Sequence, residues 1–306
     1  MNPSINLILG TALWAWTVSK SQAFQLLDAF YEAGHRWVDA ATNYPINKSA
    51  DDFRAAEKIL LAWIKANGIN DLKVLMKVGS INNLYTPEHN LTPSFIHIVY
   101  QEYLHLFGDQ LAEIMVHWDN RSAPQEIRST LEALDLIRQE GVKIGLSGIK
   151  HPAVYKELNR SFKFDWDIQL KHNLVYSDYS RYALFHGRRR FLAYGINAGG
   201  LKFPSSGYNQ DSSTQVRNVP TEKYQDLLQK ISQLLEQYNA QSNLAPLTRF
   251  NECSMIFTYY SPDIQGILIG PSKMEQLHST LSFFKQLQAG AHQSFFPRLK
   301  AVSSNA

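Results

Sequence analysis

A single cysteine, Cys253, occurs in the chain, so no disulfide can form within it and no cysteine cluster can bind zinc. No run of about 18 apolar residues is present, which excludes an ordinary membrane-spanning helix. An excess of one charge is missing too. Thirty Lys and Arg stand against 27 Asp and Glu, and the net charge of +3 gives no argument for a nucleic-acid partner. The opening residues Met1-Asn2-Pro3-Ser4-Ile5-Asn6 lack the basic and then apolar stretches of a secretory signal. No His-x-His pair closes the first expected strand. These absences lead to the expectation of a soluble, cytoplasmic protein with neither membrane nor nucleic acid as partner.

What is there is apolar material, 44% of 306 residues, enough for one large barrel or two average domains. Short apolar runs predict strands at 5–9, 36–39, 72–77, 111–117, 142–146, 167–170, 191–194 and 264–269. Helical patterns lie between them. Ser19 or Ser21 caps the first, Pro124 sits in the first turn of another, and Gly34, Gly68, Gly108 and Gly141 mark helix ends. The expected fold is α/β, a single (β/α)8 barrel over residues 1–306, with its chemistry at the C-terminal rim of the strands. One connection is irregular. Residues 202–220, rich in Ser, Asn, Gln and Gly, follow the seventh strand and read as a surface insertion or a lid. A helix is expected at about 221–238.

Three strand ends carry chemistry: Asp39-Ala40-Ala41-Thr42-Asn43-Tyr44, Leu75-Met76-Lys77 and Met115-Val116-His117-Trp118. Lys77 follows Asp39 by 38 residues and His117 follows Lys77 by 40, about one strand-helix-strand unit, which needs roughly 30 or more. Each residue alone has an ordinary reading as a cap, a packing ring or a solvated strand end. Their regular spacing joins them on one rim. Order and spacing resemble the catalytic tetrad of the aldo-keto reductases.

That resemblance implies NAD(P)H-dependent reduction of an aldehyde or ketone, with Tyr44 supplying a proton to the carbonyl oxygen. A free tyrosine has a pKa of about 10, and a nearby ammonium pulls it down, the role implied for Lys77. Asp39 would hold Lys77 by ion pairing, and His117 would orient the carbonyl oxygen.

Further segments extend the resemblance over about residues 5–285. Gly145-Leu146-Ser147-Gly148-Ile149 is similar to the family's Gly-Val-Ser-Asn-Phe, whose Ser and Asn bind the nicotinamide carboxamide. Gln169 and Asn173 match its Gln-x-x-Tyr-Asn, whose Gln holds the same amide. Ala193-Tyr194 and Gly199-Gly200-Leu201 resemble a stretch whose Tyr stacks on the nicotinamide ring. Gly270, Ser272, Lys273 and Gln276 fall in the segment that grips the adenosine phosphate. The chain departs from the pattern at several positions. Gly148 replaces Asn, Gly195-Ile196-Asn197 replaces Ser-Pro-Leu, Thr280 stands where Asn contacts adenine, and Lys273 comes one residue after the expected cation position, held by Ser272. NADPH is the expected cofactor, with NADH as the alternative.

Trp14 and Trp16, Tyr85 and Trp118 follow the first, third and fourth strands and predict an apolar wall for a small-molecule carbonyl substrate. Pro45-Ile46-Asn47-Lys48 could add a polar contact, and Arg188-Arg189-Arg190 reads as a solvated loop on the opposite face. Two alternatives stay open. One is a regulatory or binding subunit that keeps fold and cofactor with little turnover. The other is a metal-dependent barrel hydrolase using Asp39, His117, Asp119 and His172. The leading reading assigns no metal, and oligomeric state is not legible.

Overall fold

Strands buried on both faces read as nearly continuous apolar runs, and eight such runs pair side by side here. They are β1 (Asn6–Gly10), β2 (Trp37–Ala41), β3 (Lys73–Val78), β4 (Leu111–His117), β5 (Lys143–Ser147), β6 (Asp167–Lys171), β7 (Phe191–Tyr194) and β8 (Ile264–Ile269). In this computed structural model, which describes residues 5–188, 190–203 and 224–303, all neighbours are parallel and β8 returns to β1, closing a barrel.

Helices α1 (Lys20–Glu32), α2 (Ala55–Asn67), α3 (Pro93–Phe107), α4 (Pro124–Gln139) and α5 (Pro152–Phe162) follow the first five strands. Their ends are written in the sequence. Ser19 caps α1 in a reciprocal pair with Gln22. Pro93, Pro124 and Pro152 open three helices, where the missing N–H costs nothing. Gly68 ends α2 in a left-handed conformation, φ +62°.

The regular alternation then breaks. Only a short 3-10 segment, Tyr179–Phe185, lies between β6 and β7 among the described residues. Between β7 and β8 lie α6 (Gln225–Gln241) and α7 (Phe250–Tyr260), and α8 (Met274–Gln288) and α9 (Phe296–Val302) follow β8. The helix expected at 221–238 thus starts at Gln225 and runs to Gln241. The expected lid at 202–220 falls outside the described residues from 204 onward. The expected solvated arginine loop needs correction at Arg190. Only 8% exposed, it donates to the Trp166 carbonyl at 3.4 Å and lies 3.6 Å from Asp165. Arg189 lies outside the described residues. No helix among the described residues is long and apolar enough to cross a membrane.

Inside the barrel, Ile8, Leu75, Met115, Leu192 and Leu268 form an apolar middle layer. Because inward side chains recur every second residue, Glu113, Met115 and His117 form one column on β4. His117 lies above the apolar layer. Glu113 lies below it with Asp167, whose carboxylate pairs with Lys143 at 2.7 Å and accepts a hydrogen bond from Gln265. No donor among the described residues reaches either Glu113 oxygen. Burial, then the neighbouring Asp167 carboxylate, push the Glu113 carboxyl well above the usual range.

Candidate active site

Strand pairing carries the four expected catalytic side chains to one rim. Asp39 lies on β2, Lys77 on β3 and His117 closes β4. Tyr44 sits just beyond β2 on a turn in which its N–H donates to the Ala41 carbonyl at 3.1 Å. Its own carbonyl accepts the Ala56 N–H of α2 at 3.3 Å. Thr42 ties this turn to β3, its N–H donating to the Lys77 carbonyl at 3.0 Å and its hydroxyl to the Ser80 carbonyl at 3.1 Å. The loop that carries the phenol is therefore anchored to the strand that carries the ammonium.

Lys77 and Asp39 form an ion pair through Asp39 Oδ2, while Asp39 Oδ1 accepts from the Gln169 amide. The Lys77 Nζ lies 4.7 Å from the centre of the Tyr44 ring, and the His117 ring meets Tyr44 edge-on at 6.2 Å. Burial by itself would lower the Lys77 pKa. The charges of Asp39 and Tyr44, with hydrogen bonds to both, outweigh it and leave the pKa raised. Burial, then the Lys77 charge, hold His117 well below the ordinary imidazole value, so its ring is neutral at pH 7. His117 Nδ1 has no hydrogen-bond partner among the described residues. A bare acceptor is less costly to bury unpaired than an N–H, which favours the tautomer with its proton on Nε2.

The expected cofactor residues fall on the same rim. His117, Ser147 and Gln169 are successive register partners across β4, β5 and β6. The Ser147 hydroxyl donates to Gln169 Oε1 over 3.4 Å, a long contact that leaves both groups able to bond an amide. Tyr194 pairs with Lys171 across β7 and β6, and burial raises its phenol pKa. Beyond β8, a Cβ on Gly270 would meet nothing within 4 Å. There the Ser272 N–H and hydroxyl donate to Gln276 Oε1 at 2.9 and 3.2 Å, and Lys273 is an exposed cation entering α8. Ser147 and Gln169 on the rim that carries the Asp39–Lys77 pair, with an open, cationic helix entrance beyond β8, have the donors and acceptors to fit a nicotinamide dinucleotide.

The expected aromatic wall separates into two parts. Trp14, 1% exposed, belongs to the buried core. Trp16 is half-buried against the same core. Trp118, by contrast, packs on His117 at 4.7 Å, and Tyr85, 71% exposed, meets Trp118 edge-on at 5.8 Å. In the loop after Tyr44, Asn47 is occupied by Asp52 at 2.7 Å.

The ligand set of a metal-dependent hydrolase does not converge. Asp119 is bound by Arg121 at 2.9 Å and by the Tyr155 hydroxyl at 2.5 Å, while His172 lies between Ser177 and Ser261 at 2.7 and 2.9 Å. Sequence reasoning passed over the contact between Gly148 and Trp118, where a Cβ would lie 2.7 Å from the indole. The replaced Asn at 148 was the available signal. It also passed over Asn43, fully buried beside Tyr44 with neither amide atom partnered among the described residues, and nothing in the sequence marks it.

Comparison with known proteins agrees with this arrangement. The profile of the Aldo/keto reductase family matches residues 6–295. Two putative aryl-alcohol dehydrogenases of Saccharomyces cerevisiae are similar to the chain. One is 28% identical over 145 residues, covering 45% of this chain and 66% of the relative. The other is 28% identical over 203 residues, covering 61% of this chain and 46% of the relative. A probable aryl-alcohol dehydrogenase of the same organism is 29% identical over 152 residues, 45% of this chain and 42% of the relative. The chain thus spans less than two thirds of the length of these relatives.

Proposed function

The chain belongs to the aldo/keto reductase family, and from that premise we propose that it reduces an aldehyde or ketone to the alcohol, with Tyr44 as proton donor. The observation that carries this reading is the buried Asp39–Lys77 pair beneath the Tyr44 ring and beside a neutral His117. Ser147, Gln169 and Tyr194 at one end and Gly270, Ser272, Lys273 and Gln276 at the other would hold a reduced nicotinamide dinucleotide, which would supply hydride for the carbonyl carbon.

The chain's own groups handle the oxygen. As charge grows there, the Tyr44 hydroxyl passes its proton to it, so that the product is the neutral alcohol. The phenolate left behind is balanced by the Lys77 ammonium, which Asp39 keeps charged and in place. His117, neutral and carrying its proton on Nε2, donates a hydrogen bond to the same oxygen without competing for the Tyr44 proton. Asp39 also fixes Gln169, which couples the carboxamide contact to the ion pair.

For the substrate we favour an aromatic aldehyde. The Tyr85 and Trp118 rings beside His117 support this, as does the aryl-alcohol chemistry named for the yeast relatives. NADPH is favoured over NADH because the exposed Lys273 can meet a 2′-phosphate, as a point charge rather than a fork. Nicotinamide absorbance followed with NADPH and NADH over benzaldehydes, aliphatic aldehydes and ketones tests the reading. Preference for benzaldehydes with NADPH supports it. Cofactor binding without turnover on the whole panel points instead to a regulatory subunit.

A further inference from the structure

His117 is asked to aim Nε2 at a carbonyl oxygen, yet the usual device for aiming an imidazole is missing. A histidine is commonly oriented by the hydrogen bond that its other nitrogen makes. Here Nδ1 has no such partner among the described residues, although the ring is buried. Rings take that place. The Trp118 indole lies 4.7 Å from the imidazole at an interplanar angle of 40°, and the Tyr44 ring meets the imidazole edge-on at 6.2 Å and 87°.

The indole is itself held with care. Trp118 adopts φ +57°, uncommon for a bulky residue, while its N–H donates to the Ser147 carbonyl at 2.9 Å. The Tyr85 ring meets the indole edge-on at 5.8 Å and an interplanar angle of 86°. The five-membered ring of the indole uses space that a side chain at 148 would fill. A Cβ there would stand 2.7 Å from Trp118 Cδ1 and 3.3 Å from Nε1.

We propose that Trp118 is a positioning residue for His117, and that Gly148 is glycine because the indole occupies the room of its side chain. The inference rests on the reading of His117 as the group that meets the substrate oxygen. One consequence is specific to this chain. An Asn introduced at 148 displaces Trp118 and lowers turnover, rather than adding a useful amide contact.

A double-mutant cycle tests it, using Gly148→Ala, Trp118→Leu and the pair. Misplacing a catalytic group by about 1 Å can cost a hundredfold, so each single change is expected to lower kcat by about tenfold or more. Gly148 has φ +66°, and the strain of an alanine there persists in both backgrounds. The clash with the indole does not. Gly148→Ala made in the Trp118→Leu background should therefore cost no more than about threefold further, a clear departure from additivity. Trp118→Phe, which keeps a ring against the imidazole, should restore most of kcat.

The second readout needs no turnover. Histidine 15N signals in NADPH-bound protein should show His117 shifted in Gly148→Ala and in Trp118→Leu, and close to wild type in Trp118→Phe. Equal costs of Gly148→Ala in both backgrounds overturn the proposal. So do unchanged His117 signals in Trp118→Leu, which decide the matter even if Gly148→Ala fails to fold. A wild-type protein that turns over no carbonyl, but whose His117 signals follow the indole, refutes the reductase reading and leaves the positioning intact.

Discussion

Asp39 and Lys77 form an ion pair in which neither side chain is more than 3% exposed. Removing one partner of such a pair strands the other charge away from water. Asp39→Asn is expected to destabilise the protein by about 3–5 kcal/mol, read from urea unfolding at pH 8. The raised Lys77 pKa means that its contribution is fully present below the unfolded value of about 10.5 and lost as pH rises through the folded value. The gap between wild type and Asp39→Asn should therefore narrow only in strong alkali. A gap below about 1 kcal/mol, the range of exposed pairs, would show that the pair is not buried in solution.

Histidines with lowered pKa values, His35, His117, His172 and His292, bear on the acid limit, and His172 and His117 are the most perturbed. Burial holds His172 at about 4 and His117 well below its ordinary value. In the unfolded chain both take up protons near pH 6.5, so their contribution to stability is whole above that pH and is lost as pH falls toward 4. Each histidine contributes a slope of up to about 1.4 kcal/mol per pH unit. Thermal unfolding of wild type and His172→Gln in parallel across pH 8 to 5 should show a constant difference in Tm above pH 6.5 and, below it, a wild-type Tm that drops relative to that of the variant. A fall of equal steepness in that variant would mean that other groups govern acid stability.

The barrel floor responds in the opposite direction. Glu113 keeps its proton when folded but loses it near pH 4.5 when unfolded, so its burial costs more stability as pH rises. Glu113→Gln cannot ionise, and its amide can donate to Asp167. The variant should have a higher Tm than wild type at pH 8, with the difference shrinking toward pH 4.5. A lower Tm at pH 8 would show Glu113 to be an ionised, stabilised carboxylate.

Cofactor choice is tested at Lys273, the exposed cation at the start of α8. A charge-assisted contact to a 2′-phosphate is worth about 1.4 kcal/mol or more, so Lys273→Ala should raise KM for NADPH about tenfold. KM for NADH should stay within about twofold, since that cofactor offers no phosphate to lose. Equal changes for both cofactors would remove Lys273 from the phosphate site.

Strand ends and helix caps were the legible part. The Asp39, Tyr44, Lys77 and His117 segments met on one rim because barrel strands recur at a regular interval, and prolines and glycines marked the helix ends. Depth was not legible. Trp14 reads as a rim aromatic yet lies in the core, and Arg190 reads as solvated yet is buried against Trp166. Strands apolar on both faces do not reveal which side of the wall a residue takes, so Glu113 gave no sign of facing Asp167 across the floor. Gly148 was visible as a departure, but its reason was the Trp118 indole, a contact between two loops.

Tyr44→Phe is the most direct measurement, because it deletes one hydroxyl and little else. With NADPH and a benzaldehyde, kcat should fall by about a hundredfold or more, the usual contribution of a positioned acid. NADPH binding, followed by protein fluorescence, should be unchanged within about threefold, since no cofactor contact is assigned to the phenol. Turnover in Tyr44→Phe close to that of the wild type would contradict the account.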